Sequence, residues 1–141
     1  MRSPVPTATD SSPRAATLAT ASPEALCTPG ANDLCLGNNR FRVGVTWRDY
    51  ADRTGSGSAV PYTTDSGMFW FFSESNIEFL VKVIDGCSFN NAWWVYAAAT
   101  TDVEYTMTVT DTLHDETKTY TNVLGNASPA ITDSAAFATC P

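Results

Sequence analysis

The stretch Val103-Glu104-Tyr105-Thr106-Met107-Thr108-Val109-Thr110 alternates large apolar side chains with threonine or glutamate. Successive side chains of an extended strand point to opposite faces, so this pattern makes a half-buried strand with a polar outer surface. Thr117 to Val123 follows with the same β-branched character, and Asp111 to Glu116 supplies the connection. The pair reads as an antiparallel hairpin with a threonine-rich outer face.

Working outward, Phe41, Val43, Val45 and Trp47 alternate with Arg40, Arg42, Gly44 and Thr46, which gives a second strand of the same kind. Met68 to Phe72 forms an aromatic strand, with Met68, Trp70 and Phe72 on one face and Phe69 and Phe71 on the other. Ile77 to Asp85 places Ile77, Phe79, Val81 and Val83 on one side. Its other side, Glu78, Leu80, Lys82 and Ile84, mixes charge with bulk and suits partial exposure. Gly86, Ser88, Asn90 and Asn91 turn the chain into a strand over 93–99, read as extended despite the run of three alanines. Val60 to Thr63 adds a short strand limited by Pro61 to an edge or a strand start. A strand over 135–140 completes an all-β antiparallel β-sandwich of seven or eight strands, disulfide-linked.

The chain has 141 residues with 8 basic and 15 acidic side chains, a formal charge of -7. That balance repels a polyanion and argues against a nucleic-acid partner. No apolar run is long enough for a membrane span. Residues 1–26 are rich in Pro, Ala, Thr and Ser with few large apolar groups, so burial cannot offset their ordering entropy. They are expected to form a disordered tail or linker before a domain over 27–141, with any secretion signal removed or lying upstream.

Four cysteines, Cys27, Cys35, Cys87 and Cys140, contain no CxxC pair, and the chain has a single histidine, His114. Two disulfides fit better than a zinc site and imply an oxidising compartment, secreted or at the cell surface. Three pairings are possible. Cys27 with Cys35 and Cys87 with Cys140 is the favoured one, the second contributing about 4 kcal/mol through its long loop.

Chemistry is sparse. With no GxSxG motif, His114 reads as a surface residue of a hairpin loop. Glu74, Glu78 and Asp85 are the carboxylates considered for glycoside hydrolysis, but so small a domain has little room for a cleft, and the chain is expected not to be an enzyme. Asp111, Asp115 and Glu116 in one turn, and Asp49, Asp52 and Asp65 around a long loop, are candidates for calcium, without an EF-hand pattern.

Aromatic residues carry the stronger signal. Trp47, Trp70, Trp93 and Trp94, with Tyr50, Tyr62, Tyr96 and Phe89, exceed what a small core requires; Trp47, Trp70, Trp93, Trp94 and Tyr96 are the ligand-binding candidates, and adjacent Trp93 and Trp94 must point to opposite faces. An exposed indole beside polar groups suits stacking on a sugar ring or anchoring a protein partner. The expectation is a non-catalytic extracellular binding or accessory module. The alternative is a protein-interaction or peptidase-inhibitor domain presenting the Gly-, Ser- and Asp-rich 49–58 segment as a long mobile loop.

The strings Cys35-Leu36-Gly37-Asn38-Asn39-Arg40-Phe41-Arg42-Val43, Val45-Thr46-Trp47-Arg48-Asp49-Tyr50 and Ser66-Gly67-Met68-Phe69-Trp70-Phe71-Phe72 together resemble a β-rich module of bacterial secreted and cell-surface proteins. The likeness continues through Val81-Lys82-Val83-Ile84-Asp85-Gly86-Cys87 and Val103-Glu104-Tyr105-Thr106 to Ile131-Thr132-Asp133 and Cys140, nearly the whole domain. It implies a bacterial extracytoplasmic origin and carries over no catalytic or binding residue. The low-complexity tail stands where the module's upstream region would be.

Overall fold

The computed structural model describes residues 26–141, so the tail expected over 1–26 lies outside it apart from Leu26. The strands are β1 (Leu34–Leu36), β2 (Phe41–Arg48), β3 (Thr54–Ser56), β4 (Ser58–Pro61), β5 (Ser66–Trp70), β6 (Ile77–Asp85), β7 (Trp93–Ala99), β8 (Glu104–Asp111), β9 (Glu116–Asn122) and β10 (Ile131–Phe137). A single helical turn, α1 (Cys87–Asn90), stands before β7 and ends at Asn91, whose φ of 59° turns the chain.

Two antiparallel sheets result. The first runs β1-β2-β8-β9, and β3 also pairs with β2. β8 covers the full length of β2, from Phe41 opposite Asp111 to Arg48 opposite Glu104. β1 and β3 therefore share the other edge of β2 end to end, with Leu34 opposite Val43 and Gly55 opposite Trp47. The second sheet runs β10-β7-β6-β5-β4. The ten strands are the eight expected plus the three-residue β1 and β3, too short to show a period, and the last strand, expected over 135–140, instead covers Ile131–Phe137.

The core forms between the sheets because the alternating apolar sets face each other. Phe41, Val43 and Val45 of β2 and Tyr105, Met107 and Val109 of β8 meet Phe69 of β5, Phe79, Val81 and Val83 of β6, and Val95 and Ala97 of β7. Phe41, Phe69, Phe79 and Phe137 are fully buried. Each such side chain contributes roughly 1.5–3 kcal/mol by leaving water.

The chain changes sheets between β3 and β4 at Gly57, whose N–H bonds the Val45 carbonyl at 2.7 Å. A Cβ there would lie 3.2 Å from Phe69 and 3.3 Å from Phe71, so a larger residue at the crossing would have to displace those rings by a few tenths of an ångström. The disulfides are Cys27–Cys35 and Cys87–Cys140, the latter joining α1 to the segment after β10 across 53 residues.

Two local expectations are corrected. In β6, Phe79 pairs with Phe69 but Ile77 pairs with Trp70, so an extra residue interrupts the register. This bulge reverses the faces beyond it. Glu78 becomes buried, at 6 % exposure, while Ile77 is 36 % exposed. The 49–58 segment is not one long loop. The Asp49 carboxylate accepts hydrogen bonds from the Ala51 and Arg53 N–H groups at 3.0 and 2.8 Å and from Arg53 Nε at 2.8 Å. This carboxylate templates a tight turn, after which β3 pairs back on β2.

Candidate functional site

β7 carries Trp93, Val95 and Ala97 on the same side, toward the sandwich, which sends Trp94, Tyr96 and Ala98 to the outside of the second sheet. β6 contributes Leu80, Lys82 and Ile84 to that outer face, and β5 contributes Ser66, Met68 and Trp70. The register aligns them in rows. Thr132, Tyr96, Lys82 and Ser66 lie opposite one another across four strands. Ala98, Leu80, Met68 and Val60 form the next row.

The aromatic groups of this face are held in place. Trp94 and Tyr96 stack with ring centroids 5.9 Å apart and planes 15° apart. Trp94 Nε1 donates to Asn90 Oδ1 at 2.7 Å, and Asn90 Nδ2 donates to the Ser134 carbonyl at 2.8 Å. Tyr96 and Ser134 share a hydroxyl–hydroxyl bond of 2.8 Å. Phe89 of α1 meets the Trp94 ring edge-on at 5.6 Å. A Cβ at Gly86 would fall 2.2 Å from Trp94 Nε1, so the glycine lets the indole lie against the start of α1.

Beside this pair lies an open groove of about 370 Å³. Tyr62 and Leu80 wall it, with Lys82, Tyr96 and Ile131 among its lining residues. Tyr62 is 75 % exposed and Leu80 48 %. Small side chains at Ser66, Ala98 and Ala130 leave the concavity between them.

The five aromatic residues expected to bind ligand divide into two groups. Trp70, Trp94 and Tyr96 occupy the outer face. Trp47 and Trp93 belong to the interior: Trp47 packs on Phe71 and Phe72 at 6.2 and 4.7 Å, and Trp93 on Phe41 at 4.9 Å. The Arg40 guanidinium sits 4.8 Å from the Trp93 ring. Both interior indole N–H groups are buried without a hydrogen-bond partner among the described residues. Tyr62 belongs to the aromatic excess, whereas Leu80 and Lys82 are contributors that the aromatic pattern does not single out. The mixed face of β6 was the available signal for these two.

The acidic residues assemble differently from the calcium expectation. Asp111 has a side chain with 0 % exposure and accepts a paired hydrogen bond from Arg40 Nε and Nη2 at 3.0 and 2.9 Å. Asp115 and Glu116 stand exposed at the hairpin tip, and no three His, Cys, Asp or Glu residues converge among the described residues. Burial alone would push the Asp111 carboxyl up, but hydrogen bonds from Arg40 and Thr139, the Arg40 charge and the Leu113 N–H hold it below the ordinary carboxylate value. Asp49 is likewise held low. Burial opposes its charge, and the Arg53 backbone and side chain with the Ala51 N–H outweigh it.

Glu78 shows the opposite balance. Burial raises its pKa, a Thr101 hydrogen bond only partly countering it. Asn76 Nδ2 donates to it at 3.0 Å. His114 is half exposed in the β8–β9 turn, with Nδ1 3.4 Å from Asp111 Oδ2. Among the described residues no helix is long and apolar enough to cross a membrane. Comparison with protein-family models, curated proteins and solved structures finds no match for this chain.

Proposed function

We propose that this domain is a non-catalytic binding module of a secreted or cell-surface protein and that it holds carbohydrate against the outer face of its second sheet. The observation that carries the reading is the Trp94–Tyr96 pair. Its planes are 15° apart, its polar atoms are tied to Asn90 and Ser134, and it lies on the face away from the core. A pre-oriented aromatic platform next to an apolar groove stacks on a pyranose ring with little ordering cost. Two disulfides support an oxidising compartment.

The experiment is affinity electrophoresis through gels containing soluble polysaccharides, comparing the domain with a Trp94→Ala, Tyr96→Ala double variant. Retardation that the double variant loses supports the reading. Retardation unchanged by the double variant, or none with any polysaccharide, contradicts it.

A second reading, docking of a protein partner through the 49–53 turn, has one observation in its favour. Tyr50 is 65 % exposed at a turn that Asp49 makes rigid, with its hydroxyl donating to Asp102 at 3.0 Å.

A further inference from the structure

Six cationic side chains fall among the described residues, and four of them are ion-paired: Arg40 with Asp111, Arg48 with Glu104 and Asp52, Arg53 with Asp49, and Lys118 with Asp133. Arg42 and Lys82 are the two without a carboxylate partner. Arg42 belongs to β2, on the first sheet, opposite Thr110. Lys82 stands in the groove, between Tyr96 and Ser66 in one row and beside Leu80 in the next.

Its position is unusual for a solubilising lysine. Protective lysines mark sheet edges, whereas β6 is the central strand of its sheet. In a chain with a net charge of -7, an unneutralised ammonium flanked by apolar walls is a site of local opposite sign. Lys82 is solvent-exposed, so its attraction for an anion is short-range and salt-sensitive. Among the described residues the groove is lined by this one cationic side chain. The excess of carboxylates elsewhere on the chain disfavours a densely charged polymer, whereas a ligand with a single carboxylate meets the ammonium with little repulsion.

We propose, building on the carbohydrate reading above, that the groove selects a sparsely acidic glycan. Neutral rings lie on Tyr62, Leu80 and Tyr96, and the carboxylate of one uronic or sialic acid residue meets the Lys82 ammonium. The groove runs from β10 across β7 and β6 to Ser66 of β5, three inter-strand gaps or about 14 Å, which accommodates two or three rings including the charged one.

The test uses immobilised oligosaccharides of three kinds: neutral, singly carboxylated (glucuronic, galacturonic or sialic acid on a neutral chain) and polyuronate. The intact domain is probed beside Lys82→Gln, Lys82→Arg and Trp94→Ala. The expected result is at least tenfold tighter binding of a singly carboxylated glycan than of its neutral counterpart and of polyuronate. Lys82→Gln should abolish the preference, weakening the binding of singly carboxylated glycans more than that of neutral ones, Lys82→Arg should keep it, and added salt should reduce it.

Equal binding of neutral and acidic glycans, or a preference that survives Lys82→Gln, overturns the role of Lys82. If Trp94→Ala still weakens binding in that case, the aromatic platform stands without it. Strongest binding of polyuronate overturns the single-carboxylate match, and no binding of any glycan overturns both proposals.

Discussion

Trp93 and Trp94 are neighbours in sequence and stand on opposite sides of the second sheet, one against Phe41 and Arg40, the other against Tyr96 and Phe89. Their energetic roles differ accordingly. Trp93→Ala removes a ring packed on the core and is expected to destabilise the domain by roughly 3 kcal/mol or more. Trp94→Ala should cost less, about 1–2 kcal/mol, because that ring lies outside the core and its removal loses the Asn90 hydrogen bond and the Tyr96 and Phe89 contacts. Urea denaturation of the two variants checks the contrast.

The Arg40–Asp111 pair ties the start of β2 to the end of β8 and, through Arg40 Nη2 to the Thr139 carbonyl at 3.0 Å, to the segment before Cys140. Arg40→Ala leaves a buried carboxylate without its charge partner and should cost about 3 kcal/mol in urea denaturation. Because the folded state holds the Asp111 pKa below its ordinary value of 3.8, the stabilisation is complete above that value. It is lost as pH falls through the folded pKa. The Arg40→Ala variant should therefore show a shallower decline of Tm below pH 4.

Glu78 has the reverse sign. Its folded pKa lies above the ordinary 4.5, so the folded state favours the protonated form and stability declines as pH rises through the folded value. Glu78→Gln should raise Tm at neutral pH and leave it nearly unchanged at pH 4. A lower Tm at neutral pH would show that the charged form is needed.

The two disulfides should contribute unequally. Chain-entropy arguments give about 4 kcal/mol for the 53-residue separation of Cys87–Cys140 and about 2.5 kcal/mol for the 8-residue separation of Cys27–Cys35. Paired Cys→Ala variants measured by denaturation should follow that order, and peptide mapping without reductant should recover the two cross-links.

Alternation made most of the fold readable before any coordinates. β6 and β7 were expected with the bounds they have, Ile77–Asp85 and Trp93–Ala99, and the β8–β9 hairpin within a residue or two. β1 and β3 are not legible in the sequence because three residues carry no period. The register shift at Glu78 was hidden because a bulge inserts one residue without changing composition. The same limit applies to the candidate site. Period two separates Trp93 from Trp94, but it does not say which face the opposing sheet covers. That depends on the packing of one sheet on the other, which sets Trp93 against Phe41 and Trp47 against Phe71. Asp111 looked like a turn acid because its partner, Arg40, lies 71 residues away.

The most direct test follows the four indole N–H signals in a proton–nitrogen NMR spectrum while oligosaccharides are added. The Trp94 signal, with that of Trp70 if the ligand spans the face, should shift in a saturable way while those of Trp47 and Trp93 remain in place. Shifts confined to Trp47 or Trp93, or four unmoved signals across neutral and acidic oligosaccharides, would contradict recognition by the outer face of the second sheet.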